Sequence, residues 1–252
     1  GASALSRTVD VDRAPRAGHP PPRPEVLAMM IEPALITGAS SGIGLELARI
    51  MARNGHELVL AARNKAELER IAAELTAQHG AKVHVVASDL SQPEALARSI
   101  AQIRPHAIVN AAAYTAVDQA EAERERAFAI NATAVGALAS ASQACSAWLV
   151  HYSTDYVFDG SGTQPWHESD ATHPVNAYGA SKLAGEEAIR ASDAQHLILR
   201  CSWVFEAWGQ NFLKSILRAA QQRDHLRVVA DQHGAPTRAA LIADVTAHAL
   251  RT

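Results

Sequence analysis

Tyr178 and Lys182 stand four residues apart in the run VNAYGASKLAGEEAI (175–189). On a helix, positions i and i+4 lie on one face, one turn apart. That spacing brings the Lys182 ammonium toward the Tyr178 phenol. A free phenol titrates near pH ~10, and a neighbouring positive charge favours the phenolate and lowers that value. A tyrosine tuned this way gives a proton to a developing alkoxide and takes it back in the reverse reaction. The same spacing also occurs in helices that do no chemistry, so the pair needs partners elsewhere in the chain.

The first partner is TGASSGIG (37–44), directly after the apolar run ALI (34–36) and before GLELARIMARNG (44–55). Strand, turn and helix follow one another as a phosphate-binding turn requires. Gly38, Gly42 and Gly44 permit a tight turn, close backbone approach to a pyrophosphate and close packing of helix on strand. Ser40, Ser41 and Ile43 complete the turn, and the helix N-terminus offers free N–H groups and a partial positive charge. The next strand-like run, HELVLAARN (56–64), ends on Ala62 and Arg63. An NAD site usually places an acidic residue there for the ribose hydroxyls. Arg63 instead suits the 2′-phosphate of NADP, or is a solvated surface cation. NADPH is the expected cofactor, preferred over NADH.

Polar residues end the later strands. Asp89 and Leu90 close VHVVASDL, Asn110 to Ala112 close HAIVNAAAY, and Ser153 and Thr154 close AWLVHYSTDY. In an open parallel sheet, ligands bind outside the carboxyl ends of the strands. Asp89 there can reach an adenine amino group, the backbone of Asn110, Ala111 and Ala112 can line the cofactor, and Thr154 can hydrogen-bond a carbonyl oxygen. Taken singly, each is also an ordinary cap or turn former.

Together these motifs resemble the short-chain dehydrogenase/reductase family over residues 34–252. From about residue 90 onward, RPHAIVNAAAYTAVDQAEAE, AINATAVGALA, WLVHYSTDYVFDGSG, YGASKLAGE, LILRCSWVF and DQHGAPT resemble its dTDP-4-dehydrorhamnose reductase branch. Residues 34–90 look like the simple single-domain branch, which reduces varied ketones and alcohols. The resemblance implies hydride transfer from NADPH to a substrate carbonyl while Tyr178 protonates its oxygen. It implies that Lys182 also holds the nicotinamide ribose, and that Thr154, ahead of Ser153, polarises the carbonyl. Asn131 would kink its helix and anchor a water in a proton path to Lys182, or else simply cap the helix. Asp155, Tyr156 and Trp203 would face the substrate, with core packing the alternative for Trp203.

Two alternatives stay open: a permissive reductase of small or 3-oxoacyl ketones, and a non-catalytic NADP-binding regulatory subunit. The retained Tyr178/Lys182 pair speaks against the second.

Alternating strand-like and helix-like runs predict an α/β fold, a doubly wound parallel sheet with helices on both faces. Strands are expected near 34–37, 57–61, 82–87, 106–110, 147–152 and 196–200, with a further short one near 226–229. Helices are expected near 43–54, 65–79, 92–103, 118–145, 177–191, 210–222 and 239–250. The C-terminal substrate lobe is expected to be small and incomplete. Residues 1–29, proline-rich and without an apolar face, read as a disordered leader ahead of a single domain over 30–252.

The chain has 252 residues, 48% of them apolar, with a formal net charge of −3. That balance gives no reason to expect nucleic acid or an acidic membrane as partner. Two cysteines do not make a disulfide scaffold, and point to a reducing, cytoplasmic setting. The twelve histidines show no zinc-ligand spacing. The expected partner is a small ketone or nucleotide sugar, with a homo-oligomer as one assembly.

Overall fold

The computed structural model describes residues 33–209 and 211–251; the expected leader lies outside them. Six short strands form one sheet: β1 (Ala34–Thr37), β2 (Leu58–Ala62), β3 (Val83–Ala87), β4 (Ala107–Asn110), β5 (Trp148–Thr154) and β6 (His196–Cys201). All pair in parallel in the order β3-β2-β1-β4-β5-β6. The order reverses direction between β1 and β4. A crevice opens there at the carboxyl ends of the strands, which is where ligands bind in such sheets.

Strands buried on both faces explain the near-continuous apolar runs. Ala34, Ile36, Leu58, Leu60 and Val150 face one layer, packed by Leu47, Ala48 and Met51 of α1 (Gly42–Arg53), Leu68, Ile71 and Leu75 of α2 (Lys65–His79), and Ile242 and Ala243 of α9 (Ala239–Ala249). Leu35, Val59, Ile108 and Leu149 face the other, against Leu96 and Ile100 of α3 (Pro93–Ile103), Val135 and Leu138 of α6 (Ala134–Cys145), and Ile189 of α7 (Ala177–Arg190). Burying each of the Val, Leu, Ile and Met side chains among them contributes about 2 kcal/mol.

Local chemistry sets the helix ends. Asn64 Oδ1 accepts the Glu67 N–H at the start of α2, and Gly80 ends it at φ +65°. Asn176 Oδ1 likewise accepts the Gly179 N–H at 2.7 Å and starts α7 just before Tyr178. Glu121 Oε1 takes the Ala177 N–H.

Two expected elements differ. The helix expected over 118–145 is α4 (Val117–Ala122), α5 (Arg124–Phe128), a π-helical segment (Ala129–Thr133) and α6. The π segment is centred on Asn131, whose buried side chain binds outside its own helix. The strand expected near 226–229 is irregular, with Val228 and Val229 exposed and no edge to pair with. Instead β7 (Val204–Phe205) and β8 (Thr237–Arg238) pair in parallel as a separate two-stranded sheet. Between them α8 (Phe212–Gln222) buries no residue.

Candidate active site

The strand ends open onto a cavity of about 960 Å³, lined by the glycine-rich turn, Arg63, Asp89, Leu90, the Asn110–Ala112 backbone, Thr154, Tyr178, Lys182 and Trp203. That is the top of the range typical of small-molecule and cofactor sites. Of the site residues singled out by sequence, all but Gly44 and Asn131 line this one surface.

At the glycine-rich turn, each glycine answers a different constraint. A Cβ on Gly38, at φ +64°, would stand 2.7 Å from the backbone of Ala111 and Ala112, so this turn and the end of β4 touch directly. A Cβ on Gly44 would stand 2.6 Å from Gly38 O, which packs α1 against the turn. Gly42 has φ +55° and no protein atom within 4 Å of its absent Cβ. Ser41 makes no side-chain cap and the first turn of α1 holds no acidic residue. The helix thus presents uncapped N–H groups to the cavity, an arrangement fitted to an anion. The Ser91 N–H, at 2.9 Å from Oδ1, holds the Asp89 carboxyl below its usual range, and the charge of Arg63, exposed at the cavity rim, adds a smaller pull.

Thr154 and Tyr178 form the chemical centre. Both line the cavity, and the Thr154 hydroxyl stands near enough to the phenol to act on it, though the geometry falls short of a full hydrogen bond. Thr154 Oγ1 also accepts the Tyr156 N–H at 3.2 Å and donates to Asp155 Oδ1 at 3.2 Å. Ser202 Oγ donates to Asp155 Oδ2 at 2.5 Å and fixes that carboxylate. The Tyr156 ring meets the Tyr178 ring edge-on, with centroids 5.6 Å apart. Gly179 permits this approach, since a Cβ there would overlap Tyr156 O.

Ser153, beside Thr154, points the other way, as strand alternation dictates. Its buried hydroxyl lies toward Glu186 and helps hold that carboxyl down, though the geometry falls short of a full hydrogen bond. Of the two residues, only Thr154 has a hydroxyl that acts on the phenol.

The electrostatics differ from the expectation that Lys182 lowers the Tyr178 phenol. Protein crowds the hydroxyl, and that burial pushes the phenol up to about 12; the Thr154 hydroxyl pulls the other way, and Asp155, Tyr156 and Cys201 push up further. Lys182 is the largest fully buried side chain among the described residues. Burial pushes its ammonium down to about 8, against the opposing pull of Glu186 and Cys201. Its Nζ is turned to the sheet: it donates to Tyr152 O at 2.6 Å and lies 3.1 Å from His151 Nε2.

Asn131 is buried, and no helix cap. Its Oδ1 accepts the Tyr114 N–H at 2.8 Å; its Nδ2 donates to Tyr114 O at 2.9 Å and to Ser181 Oγ at 3.0 Å. It ties the loop after β4 to the helix that carries Tyr178 and Lys182. Trp203 is not a core residue. It is 44% exposed at the cavity, in the left-handed region at φ +45°, with its indole against the Gly234 backbone. Such strain in a non-glycine residue gathers at functional sites.

Sequence reading passed over Thr37, His151 and Ser181. All three are buried polar residues inside apolar or small-residue runs, where a hydroxyl or imidazole carries no periodic signal.

The sequence pattern of the RmlD substrate binding domain matches residues 32–252. The chain belongs to that family. It is 56% identical over 163 residues to the dTDP-4-dehydrorhamnose reductase of Escherichia coli K12, covering 65% of this chain and 54% of that one. It is 46% identical over 217 residues to that of Salmonella typhimurium, covering 86% and 66%. Among solved structures, it is similar to a dTDP-4-dehydrorhamnose reductase from Bacillus anthracis in complex with NADP. There the TM-score is 0.72 at 34% identity, over 88% of this chain and 72% of that one. The chain thus spans about half to two thirds of the length of these two curated relatives. Among the described residues, no helix is long and apolar enough to cross a membrane, and no group of three or more His, Cys, Asp or Glu could hold a metal.

Proposed function

We propose that this domain binds NADPH and reduces the 4-keto group of dTDP-4-dehydrorhamnose. The observation that carries the reading is the meeting of the Tyr178 and Thr154 hydroxyls on the same cavity as the uncapped glycine-rich turn. The relatives' activity and the NADP held by the similar structure agree with it.

The residues fit the cofactor in parts. N–H groups at Gly42 to Gly44, with Ser40 and Ser41 beside them, would take the pyrophosphate, and the open space at Gly42 leaves room for close approach. Arg63 would pair with the 2′-phosphate, Asp89 and Leu90 would border the adenine, and Asn110 to Ala112 would back the cofactor. When bound, the dihydronicotinamide supplies the hydride.

The chain's own residues manage the proton. A carbonyl oxygen held between Tyr178 and Thr154 takes a hydrogen bond from the phenol, and a second from Thr154 once its O–H turns away from Asp155 Oδ1, which stabilises the charge that develops on it. The phenol, pushed up by burial, carries its proton at neutral pH and so holds the hydrogen that the developing alkoxide would take. Lys182, next along α7, has its Nζ on Tyr152 O and His151 and is not among the groups that shift the phenol; its part would be to hold the nicotinamide ribose. Asp155, Tyr156 and Trp203 surround the position of the sugar.

The family pattern begins at residue 32 and so includes the stretch that resembles the single-domain branch; we assign that stretch the cofactor's adenine side. The exposed Trp203 and Phe212 at the cavity support a second reading, a more permissive reductase of small or acyl-chain ketones. NADPH oxidation by the purified protein, followed with dTDP-4-dehydrorhamnose and with simple ketones, separates the two. Turnover of the nucleotide sugar in preference to simple ketones is expected. Turnover of simple ketones alone overturns the sugar assignment, and turnover of neither, with tight NADPH binding, favours the non-catalytic reading.

A further inference from the structure

A line of polar groups runs through the apolar sheet behind Lys182. His151 is fully buried in β5, with Asn110 and Thr37 equally buried at the ends of β4 and β1. His151 Nε2 lies 3.1 Å from Lys182 Nζ, and Nδ1 lies 3.0 Å from the Asn110 side-chain amide. The far end of that amide meets Thr37 Oγ1 at 2.6 Å, and Thr37 Oγ1 accepts the Ala112 N–H at 3.2 Å. The line therefore joins the candidate catalytic lysine to the backbone that borders the cofactor. A histidine in such a strand does not earn its place by packing, since a buried imidazole costs free energy unless both nitrogens are partnered.

Proton counting leaves few states. A neutral imidazole carries one hydrogen, so it donates from one nitrogen and accepts at the other. With the Asn110 NH₂ toward His151, Nδ1 accepts, Nε2 carries the hydrogen, and Lys182 must be the neutral amine that receives it. With the amide turned over, Asn110 Oδ1 accepts from Nδ1–H, and Nε2 accepts from the Lys182 ammonium. In that state Thr37 Oγ1 takes both Asn110 Nδ2–H and Ala112 N–H. The choice of amide oxygen and nitrogen follows the proton network and is not fixed by shape. The imidazolium is excluded because burial, and then the neighbouring Lys182 charge, hold His151 well below the usual histidine range.

We propose that His151 is a positioning residue that couples the proton content of Lys182 to the side-chain amide of Asn110. It accepts from the ammonium in one tautomer and donates to the amine in the other. This rests on the reading of Lys182 as part of the active site. It extends that reading to a residue with no access to substrate or cofactor.

The other charged or titratable groups around Lys182 leave this coupling to His151. On α7, Tyr178 lies one turn before it, and Glu186 one turn after is held by Arg200 at 2.7 Å and Arg190 at 2.7 Å. On β6, the Cys201 thiol is pushed up to about 11 by burial and stays protonated. On β5, Tyr152 gives Lys182 its carbonyl and turns its phenol to Thr246. Asp155, past the end of β5, is bound to Thr154 and Ser202.

The test has two arms. In ¹⁵N-histidine-labelled protein, with His151 assigned from the spectrum of His151→Gln, imidazole shifts report which nitrogen carries the hydrogen. The tautomer is expected to change from Nδ1–H at about pH 6.5 to Nε2–H at about pH 9.5, as the neighbouring lysine loses its proton. One tautomer throughout that range overturns the proposal. This arm needs no turnover, so it stands whether or not the protein reduces the sugar. In the kinetic arm, His151→Phe removes one acceptor from the ammonium and should move the alkaline limb of kcat/KM down by about one pH unit. His151→Gln, whose amide oxygen reaches toward the Nε2 position, should restore the limb. An unmoved limb in a folded, active His151→Phe also overturns the proposal. Absence of all turnover in the wild type, with the tautomer change present, overturns the proposed function and leaves this coupling intact.

Discussion

Gly185 on α7 lies so close to the carbonyl oxygen of Asn131 that a Cβ there would overlap it. The contact locks α7 against the π-helical segment, and the Asn131–Ser181 hydrogen bond reinforces it one turn earlier. Tyr178 and Lys182 are therefore placed by backbone contact with the segment that also holds the loop after β4. Gly185→Ala must push α7 away, a crowding that costs about 1–3 kcal/mol of stability. Urea denaturation and turnover should both register the loss. A variant as stable and as active as the wild type would show that this contact does not position the pair.

The phenol has one task that phenylalanine cannot perform. Tyr178→Phe keeps the ring against Tyr156 but removes the proton donor, so kcat should fall by about 10²–10⁴-fold. NADPH affinity, read by fluorescence titration, should hold. Full activity in this variant would remove Tyr178 from the role of general acid.

Much of the fold was legible in the sequence. The ends of the six strands of the main sheet fall within two residues of their expected bounds, because apolar runs between glycines and polar residues can only be buried strands in an alternating α/β pattern. What was not legible depends on contacts across the fold. The break of the 118–145 helix comes from the hydrogen bonds of Asn131 to Tyr114 and Ser181, which no helical period announces. The two-residue strands β7 and β8 are too short to leave a pattern, whereas Val228 and Val229 carry strand-like side chains without a partner edge. The i,i+4 spacing put Tyr178 and Lys182 on one side of α7. It did not reveal that Lys182 Nζ turns to Tyr152 O and His151, or that burial, and not the lysine charge, sets the phenol.

Arg63 decides between the two nicotinamide cofactors if it pairs with the 2′-phosphate. Arg63→Ala should then weaken NADPH binding by about tenfold or more, the loss of one charge-assisted hydrogen-bonded pair, and leave NADH binding nearly unchanged. Equal weakening of both, measured by fluorescence titration, would make Arg63 a rim residue with no part in selection.

Lys182 links function to stability with a definite sign. Its ammonium is lowered from an ordinary 10.5 to about 8, chiefly by burial. Below about pH 8 the folded protein therefore carries the full penalty of a buried charge. The penalty shrinks as pH rises, and is gone above 10.5, where the unfolded chain has also lost its proton. Lys182→Met removes that charge and fills the space with an apolar chain. Near pH 7 it should abolish turnover yet raise folding stability by about 2–3 kcal/mol, less what the lost bonds to Tyr152 O and His151 contributed. The gain should close as the pH approaches 10. Urea denaturation at neutral and alkaline pH checks both parts. A Lys182→Met protein that is less stable than the wild type at neutral pH would mean that its bonds to Tyr152 and His151 outweigh the cost of burying the charge.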